Sequence, residues 1–299
     1  MSEAMLDETP PNAPIRRAMT PVSGREGLVF RGTPTPWTGA YGGDLMSHCI
    51  GAARHGRKLG RLISANFEFL RASDPLGEVS ASTETVREGR SLRHIRVTLD
   101  QAGSEKLTAI LVYETDSAAT DVPVVMPPSH EAPRTEPGDI PSIADAELEN
   151  LPDSYRTYYA ATRGLDVRYI TKPPFATCES GDLTESRFGG SENWTRVVEP
   201  ADPGRAFSEA ALCYIADDSA LEPVLNGQGV SWFHDDAKFV TLSHSMRFVE
   251  RIESGEWLSC TNRLHVVSGR YVETRGTITT SSGRRVASTR QLGIKVGHA

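Results

Sequence analysis

The stretch Asn66-Phe67-Glu68-Phe69, followed by Gly77-Glu78-Val79, Gly89-Arg90-Ser91 and the turn at Gly103, is answered about 180 residues later. There the chain reads Ser245-Met246-Arg247-Phe248, Gly255-Glu256-Trp257, Gly269-Arg270-Tyr271 and Gly283. A long-period repeat of this kind marks a duplicated unit, which packs against its copy as a pseudo-dimer. The copies differ in their polar residues. Thr241 and Gln291 fall opposite apolar residues of the first half, around Leu62 and Ile63 and at Leu111. A duplication that keeps polar groups in one copy describes a scaffold with a single working site.

Working outward from the repeat, residues 26–116 form the first unit. Its helix begins at Tyr41-Gly42-Gly43-Asp44, carries Leu45, Cys49, Ala52 and Ala53 at helical spacing, and stops at Gly56. Strands follow over residues 64–70, 77–88, 93–101 and 107–114. The run Leu107-Thr108-Ala109-Ile110-Leu111-Val112-Tyr113 suits a central strand buried on both faces. Residues 117–163 turn rich in Pro, Ala, Asp and Glu, with Met126-Pro127-Pro128, and read as a linker. The second unit, residues 164–299, opens on a strand at 165–170. A helix over 206–221 and strands at 239–249, 255–267, 271–280 and 286–296 follow. Residues 1–25, Pro-rich and polar, read as a flexible leader without a signal-peptide core. Each unit is therefore one long helix and an antiparallel sheet that must curve to bury it. The fold class is α+β, two fused hotdog units, with edge-to-edge joining removing exposed strands.

Composition narrows the function. A formal charge of −7 and a sequence pI near 5.7 argue against a nucleic-acid surface. The four cysteines (Cys49, Cys178, Cys213, Cys260) form no CxxC pattern and read as reduced thiols of a cytoplasmic protein. No apolar run reaches the roughly 18 residues of a membrane span. The eight histidines show no HExxH or other ligand spacing, so neither metal nor cofactor is expected. GxSxG and P-loop patterns are absent from the sequence.

The second helix carries the chemical anomaly. Ala210, Cys213, Tyr214, Asp217 and Leu221 share one face, which places Asp217 on the stripe turned to the sheet. A carboxylate there is costly unless it is hydrogen-bonded or shifts its pKa. It either serves chemistry, or accepts a backbone N–H, or lies where the helix has already frayed. Gln291 shares a face with Ala287, Thr289 and Gly293, whereas strict alternation turns Thr241 away from the apolar side of its strand. A bulge or strand end is needed to aim Thr241 at Asp217.

The segments Leu212-Cys213-Tyr214-Ile215-Ala216-Asp217, Thr241-Leu242-Ser243-His244-Ser245-Met246 and Val286-Ala287-Ser288-Thr289-Arg290-Gln291 resemble the acyl-CoA thioesterase II (TesB-like) family of double-hotdog hydrolases. The first half joins with Tyr41-Gly42-Gly43, Phe69-Leu70-Arg71 and Arg87-Glu88-Gly89-Arg90-Ser91. The resemblance implies that Asp217, Thr241 and Gln291 form a hydrogen-bonded set that orients a water for hydrolysis of an acyl-CoA. It also implies, with the remaining sheet edges, a homo-oligomer. The chain departs from the family at Asp44, where a Gln is usual, and at Arg247-Phe248-Val249-Glu250, in place of an aromatic and a His-Arg-Pro stretch.

Thioester hydrolysis needs an aimed water, a proton acceptor and donors for the oxyanion. Gly42 and Gly43, at a helix N-terminus, are the oxyanion candidates, the other reading being a tight turn into the helix. His244 either flanks the site or is a structural strand histidine. Arg284-Arg285 is either an exposed basic turn or a contact for a CoA phosphate. Two other classes compete: a hotdog hydratase or dehydratase, for which no Asp-x-Asn-Pro-x-His stretch is found, and a non-catalytic acyl-thioester binding protein.

Overall fold

A computed structural model describes residues 13–115, 135–143, 151–173, 190–199, 204–228, 232, 238–253 and 255–296. The first twelve residues of the expected leader, Met126-Pro127-Pro128 and Cys178 lie outside the described residues.

Eleven strands form one antiparallel sheet. In the first half they are β1 (Leu28–Arg31), β2 (Leu62–Phe69), β3 (Glu78–Glu88), β4 (Leu92–Gln101) and β5 (Ser104–Glu114). The second half contributes β6 (Leu165–Tyr169), β7 (Gly190–Val197), β8 (Phe239–Phe248), β9 (Leu258–Ser268), β10 (Tyr271–Thr280) and β11 (Arg285–Lys295). Their spatial order is β1-β3-β4-β5-β2-β8-β11-β10-β9-β7-β6. The two half-sheets thus join through β2 and β8. Asn66 faces Ser245, with Ala65 opposite Met246 and Phe67 opposite His244, a register symmetric about its centre. The repeat in the sequence is this local twofold.

Each half-sheet curves around one long helix, α2 (Gly42–Arg54) in the first half and α4 (Arg205–Asp218) in the second. α2 stops where the sequence places a stop, since Gly56 takes φ +66°, a conformation glycine adopts without strain. The helices run antiparallel and touch, with the Ser47 hydroxyl reaching the Ala210 carbonyl at 3.2 Å. Contact with the sheet on one side and with α2 on the other buries α4 from Phe207 through Ala216. Its apolar stripe is thus wider than one face.

Four readings need amendment. The leader is not free throughout: Pro14–Met19 is a short helix, α1, with Ile15 and Ala18 buried. Its first amides, Ile15 and Arg16, donate to the Glu199 carboxylate at 2.9 and 3.1 Å. A helix end satisfied from 184 residues away leaves no local signal. The linker carries ordered pieces as well, a 3-10 turn at Pro137–Asp139, α3 (Asp153–Thr157) and one π turn at Tyr158–Thr162. The counterpart of β1 is β7, not the strand at 165–169, which adds an outer strand beyond it. Finally, β5 is not buried on both faces; its residues alternate between buried and half-buried.

Candidate active site

Asp217 stands at the end of α4, where the antiparallel crossing brings it to the first turn of α2. There the Gly43 N–H donates to Asp217 Oδ2 at 3.1 Å. The approach depends on both glycines. A Cβ on Gly42 would stand 2.7 Å from the same oxygen, and one on Gly43 would stand 2.9 Å from the Tyr214 carbonyl oxygen. A negative group at a helix N-terminus is also favoured by the helix dipole. Burial nevertheless dominates, raising the Asp217 carboxyl from 3.8 to about 6, while the Gly43 N–H, the Gln291 amide and the Gly42 N–H pull it down.

Thr241 reaches the site through a bulge. Along β8 and β11, Ser243 faces Leu292 but Thr241 faces Gly293, so Leu242 is the extra residue. The slip turns Thr241 to the inner face with Phe239 and leaves Val240 exposed. Gln291, buried on β11, donates from Nε2 to Thr241 Oγ1 at 2.7 Å. The Thr241 hydroxyl hydrogen is then free to be donated elsewhere. Gln291 bonds Thr241 and sits close enough to lower the Asp217 pKa, so it links the other two.

The remaining candidates fall differently. The Gly43 N–H, read as an oxyanion donor, points instead at Asp217. His244 faces Gln291 across the strands and is fully buried, with the Gln291 side chain beside its ring. Burial lowers its pKa to about 4, so it is neutral at pH 7. It lies beneath the site rather than on its accessible surface. Asp44 turns away to accept the Thr33 N–H at 2.6 Å and the Thr33 hydroxyl at 3.3 Å, fixing the segment that leads into α2.

The sequence reading passed over the packing around Asp217. The Tyr41 hydroxyl donates to the Tyr214 carbonyl at 2.5 Å, with the two rings edge-to-face. Beside Asp217, Asp218 pairs with the buried Arg163, whose Nε donates to it at 2.7 Å. Farther on, buried Glu222 accepts from the Tyr169 and Ser191 hydroxyls. Tyr41 and Tyr214 lie inside quoted motifs, but Arg163 and Glu222 join the cluster only through the fold.

The twofold-related place in the first half lacks the three strand groups Thr241, His244 and Gln291. Leu62 takes the position of Thr241, facing Tyr113 after a bulge at Ile63. Ala65 and Leu111 face each other where His244 and Gln291 do. Among the described residues, no three His, Cys, Asp or Glu side chains gather as a metal site, and no helix is long and apolar enough to cross a membrane.

Comparison with known proteins agrees with this architecture. Residues 33–113 match the acyl-CoA thioesterase N-terminal domain, and residues 137–294 match the acyl-CoA thioesterase C-terminal domain. The fold is shared with the tesB protein of Mycobacterium avium subsp. paratuberculosis (17% identity, TM-score 0.73, covering 96% of this chain and 100% of that one). It is shared too with an acyl-CoA thioesterase II of Mycobacterium marinum (20%, 0.70, 95% and 99%). A hot dog protein of unknown function from Alicyclobacillus acidocaldarius gives 20%, 0.70, 95% and 98%. No curated protein matches in sequence. With both of its halves matched, the chain belongs to the acyl-CoA thioesterase family, built as a double hotdog, and is a thioester hydrolase.

Proposed function

We propose that the protein hydrolyses an acyl-CoA to the free acid and CoA by direct attack of a water held by Asp217, Thr241 and Gln291. The observation that carries this reading is the Gln291–Thr241 bond beside a carboxylate whose pKa is raised to about 6. A general base works best when its pKa lies near the operating pH, and a carboxylate at 3.8 would be a weak one. Thr241 accepts from Gln291 and can donate to the water; Asp217 accepts the proton as the water oxygen bonds the thioester carbonyl carbon. Collapse of the tetrahedral intermediate breaks the C–S bond, and the proton on Asp217 passes to the leaving thiolate. The Gly42 and Gly43 amides aim the carboxylate. No covalent acyl-enzyme is needed.

The test is free-thiol release from a panel of acyl-CoAs, run beside hydration of an enoyl-CoA. Thiol release that disappears in Asp217→Asn supports the reading; hydration without thiol release favours a hydratase, and binding without either favours a carrier. We further propose a cytoplasmic homo-oligomer, since β1 and β6 end the sheet and, among the described residues, each is covered on its outer side by a short segment only, the Val22 N–H bonding the Val29 carbonyl and the Ile143 N–H the Val167 carbonyl. Light scattering that gives a monomer across micromolar concentrations contradicts the assembly.

A further inference from the structure

The local twofold relates the catalytic set to a second place in the chain, and that place is a cleft. Arg61, Leu62, Arg205, Ser208, Glu209, Leu212, Phe248, Glu250 and Arg251 line it. Leu62, the counterpart of Thr241, together with Leu212 and Phe248 makes an apolar floor, all three being buried. With Leu62, Ala65 and Leu111 in place of Thr241, His244 and Gln291, the strand groups of the proposed water-holding set are absent here.

The charges at the rim do not cancel. Glu209 is saturated: it accepts from Arg54 Nε at 2.7 Å, from Arg54 Nη2 at 2.6 Å and from the Leu62 N–H at 3.0 Å. Glu250 is bound to Arg284. Against these stand three guanidinium groups. Among the described residues Arg205 makes no hydrogen bond or close ion pair, and the carboxylate whose charge it feels is that of Glu209. Arg251 has only an exposed contact of 3.9 Å with Glu253. Arg61 spends its terminal nitrogens on Val249 and Glu114 and keeps a buried Nε without a partner. An apolar floor beneath a cationic rim fits one chemical class, an anion with a short hydrocarbon tail, and guanidinium groups suit a carboxylate head in particular.

We infer that this cleft is a non-catalytic binding site for a short-chain carboxylate. The inference stands apart from the proposed mechanism, since it uses neither Asp217 nor Gln291. The acid released by thioester hydrolysis belongs to the same class of ligand, so the site becomes a place where product accumulates.

The test uses the full chain, hexanoate as probe, and the double variant Arg205→Ala/Arg251→Ala, which removes two exposed side chains and leaves the core intact. Titration calorimetry is expected to show saturable hexanoate binding that weakens at least tenfold in the double variant, with hexan-1-ol failing to bind. Thiol release from an acyl-CoA, measured on the same samples, is expected to be unchanged. Unaltered hexanoate affinity in the double variant would place the ligand elsewhere and overturn the inference, as would the absence of saturable binding to the unmodified chain.

Discussion

Replacing Asp217 by Asn should remove activity and, at neutral pH, stabilise the protein. Burial lifts the carboxyl from 3.8 to about 6, so its ionised form is about 3 kcal/mol less favourable in the folded chain than in the unfolded one. The sign follows from proton binding. Between these two values the folded state holds the proton and the unfolded state does not. The stability of the unmodified protein therefore falls as pH rises from about 4 to about 6 and stays reduced above that. Asn carries no charge and avoids this cost. The shift to about 6 already contains the bonds from Gly43, Gln291 and Gly42, so nothing further is subtracted for the weaker neutral acceptor. The net expectation at pH 8 is a gain of about 3 kcal/mol, shrinking to nothing by pH 4. Turnover should fall by about 10²–10⁴-fold, the range for loss of a general base. Denaturant titrations at pH 4 and 8, with thiol release at pH 8, measure both. A variant less stable at pH 8 than the unmodified chain would refute the electrostatic reasoning. Near-normal turnover would refute the catalytic role.

Three more expectations follow from the geometry. The pH profile of kcat/KM should rise through an apparent pKa near 6, the value set for Asp217 by burial, and a profile flat from pH 5 to 8 counts against Asp217 as base. Gly42→Ala puts a methyl group 2.7 Å from Asp217 Oδ2 and should displace the carboxylate, lowering kcat by about 10-fold or more with little change in KM; unchanged kcat means that the carboxylate needs no such aiming. Leu242 deletion removes the extra residue and leaves Thr241 opposite Gly293 on the inner face, so the strands should still pair and activity should persist, whereas Thr241→Val should lower it; an inactive but folded deletion variant would show that the bulge itself aims the hydroxyl.

Much of the fold was legible because duplication leaves two readings of every element. Turn glycines at matching places and alternating strands in both halves made the double unit visible without any contact information. β7 escaped for a physical reason. Its inward residues Ser191, Asn193 and Thr195 are polar and buried, and Ser191 bonds the buried Glu222, so the strand has no apolar alternation to detect. α1 escaped because Glu199, far away in sequence, caps it. At the site, the need for a bulge at Thr241 could be read from the alternation, and β8 contains one at Leu242. The partner of Asp217 could not be fixed. A backbone N–H was one of three readings, but only the crossing of α2 and α4 identifies it as Gly43 and takes that amide away from the oxyanion. The bonds of Asp44 run to Thr33, eleven residues earlier, a partner that no local pattern announces.

The central claim is one working site per chain, in the second half, with Gln291 joining Thr241 to Asp217. The paired variants Gln291→Leu and Asp44→Asn test it most directly. The first copies into the second half the residue that the twofold places at Leu111, and it leaves Thr241 without its donor. The second keeps an acceptor for the Thr33 N–H and fixes as neutral a buried carboxyl whose pKa is already raised to about 7. Measured as kcat/KM on the same acyl-CoA, Gln291→Leu should lose about 10²-fold, comparable to one positioned polar group. Asp44→Asn should stay within about threefold of the unmodified chain. A larger loss for Asp44→Asn than for Gln291→Leu would move the chemistry to the first half and contradict the account.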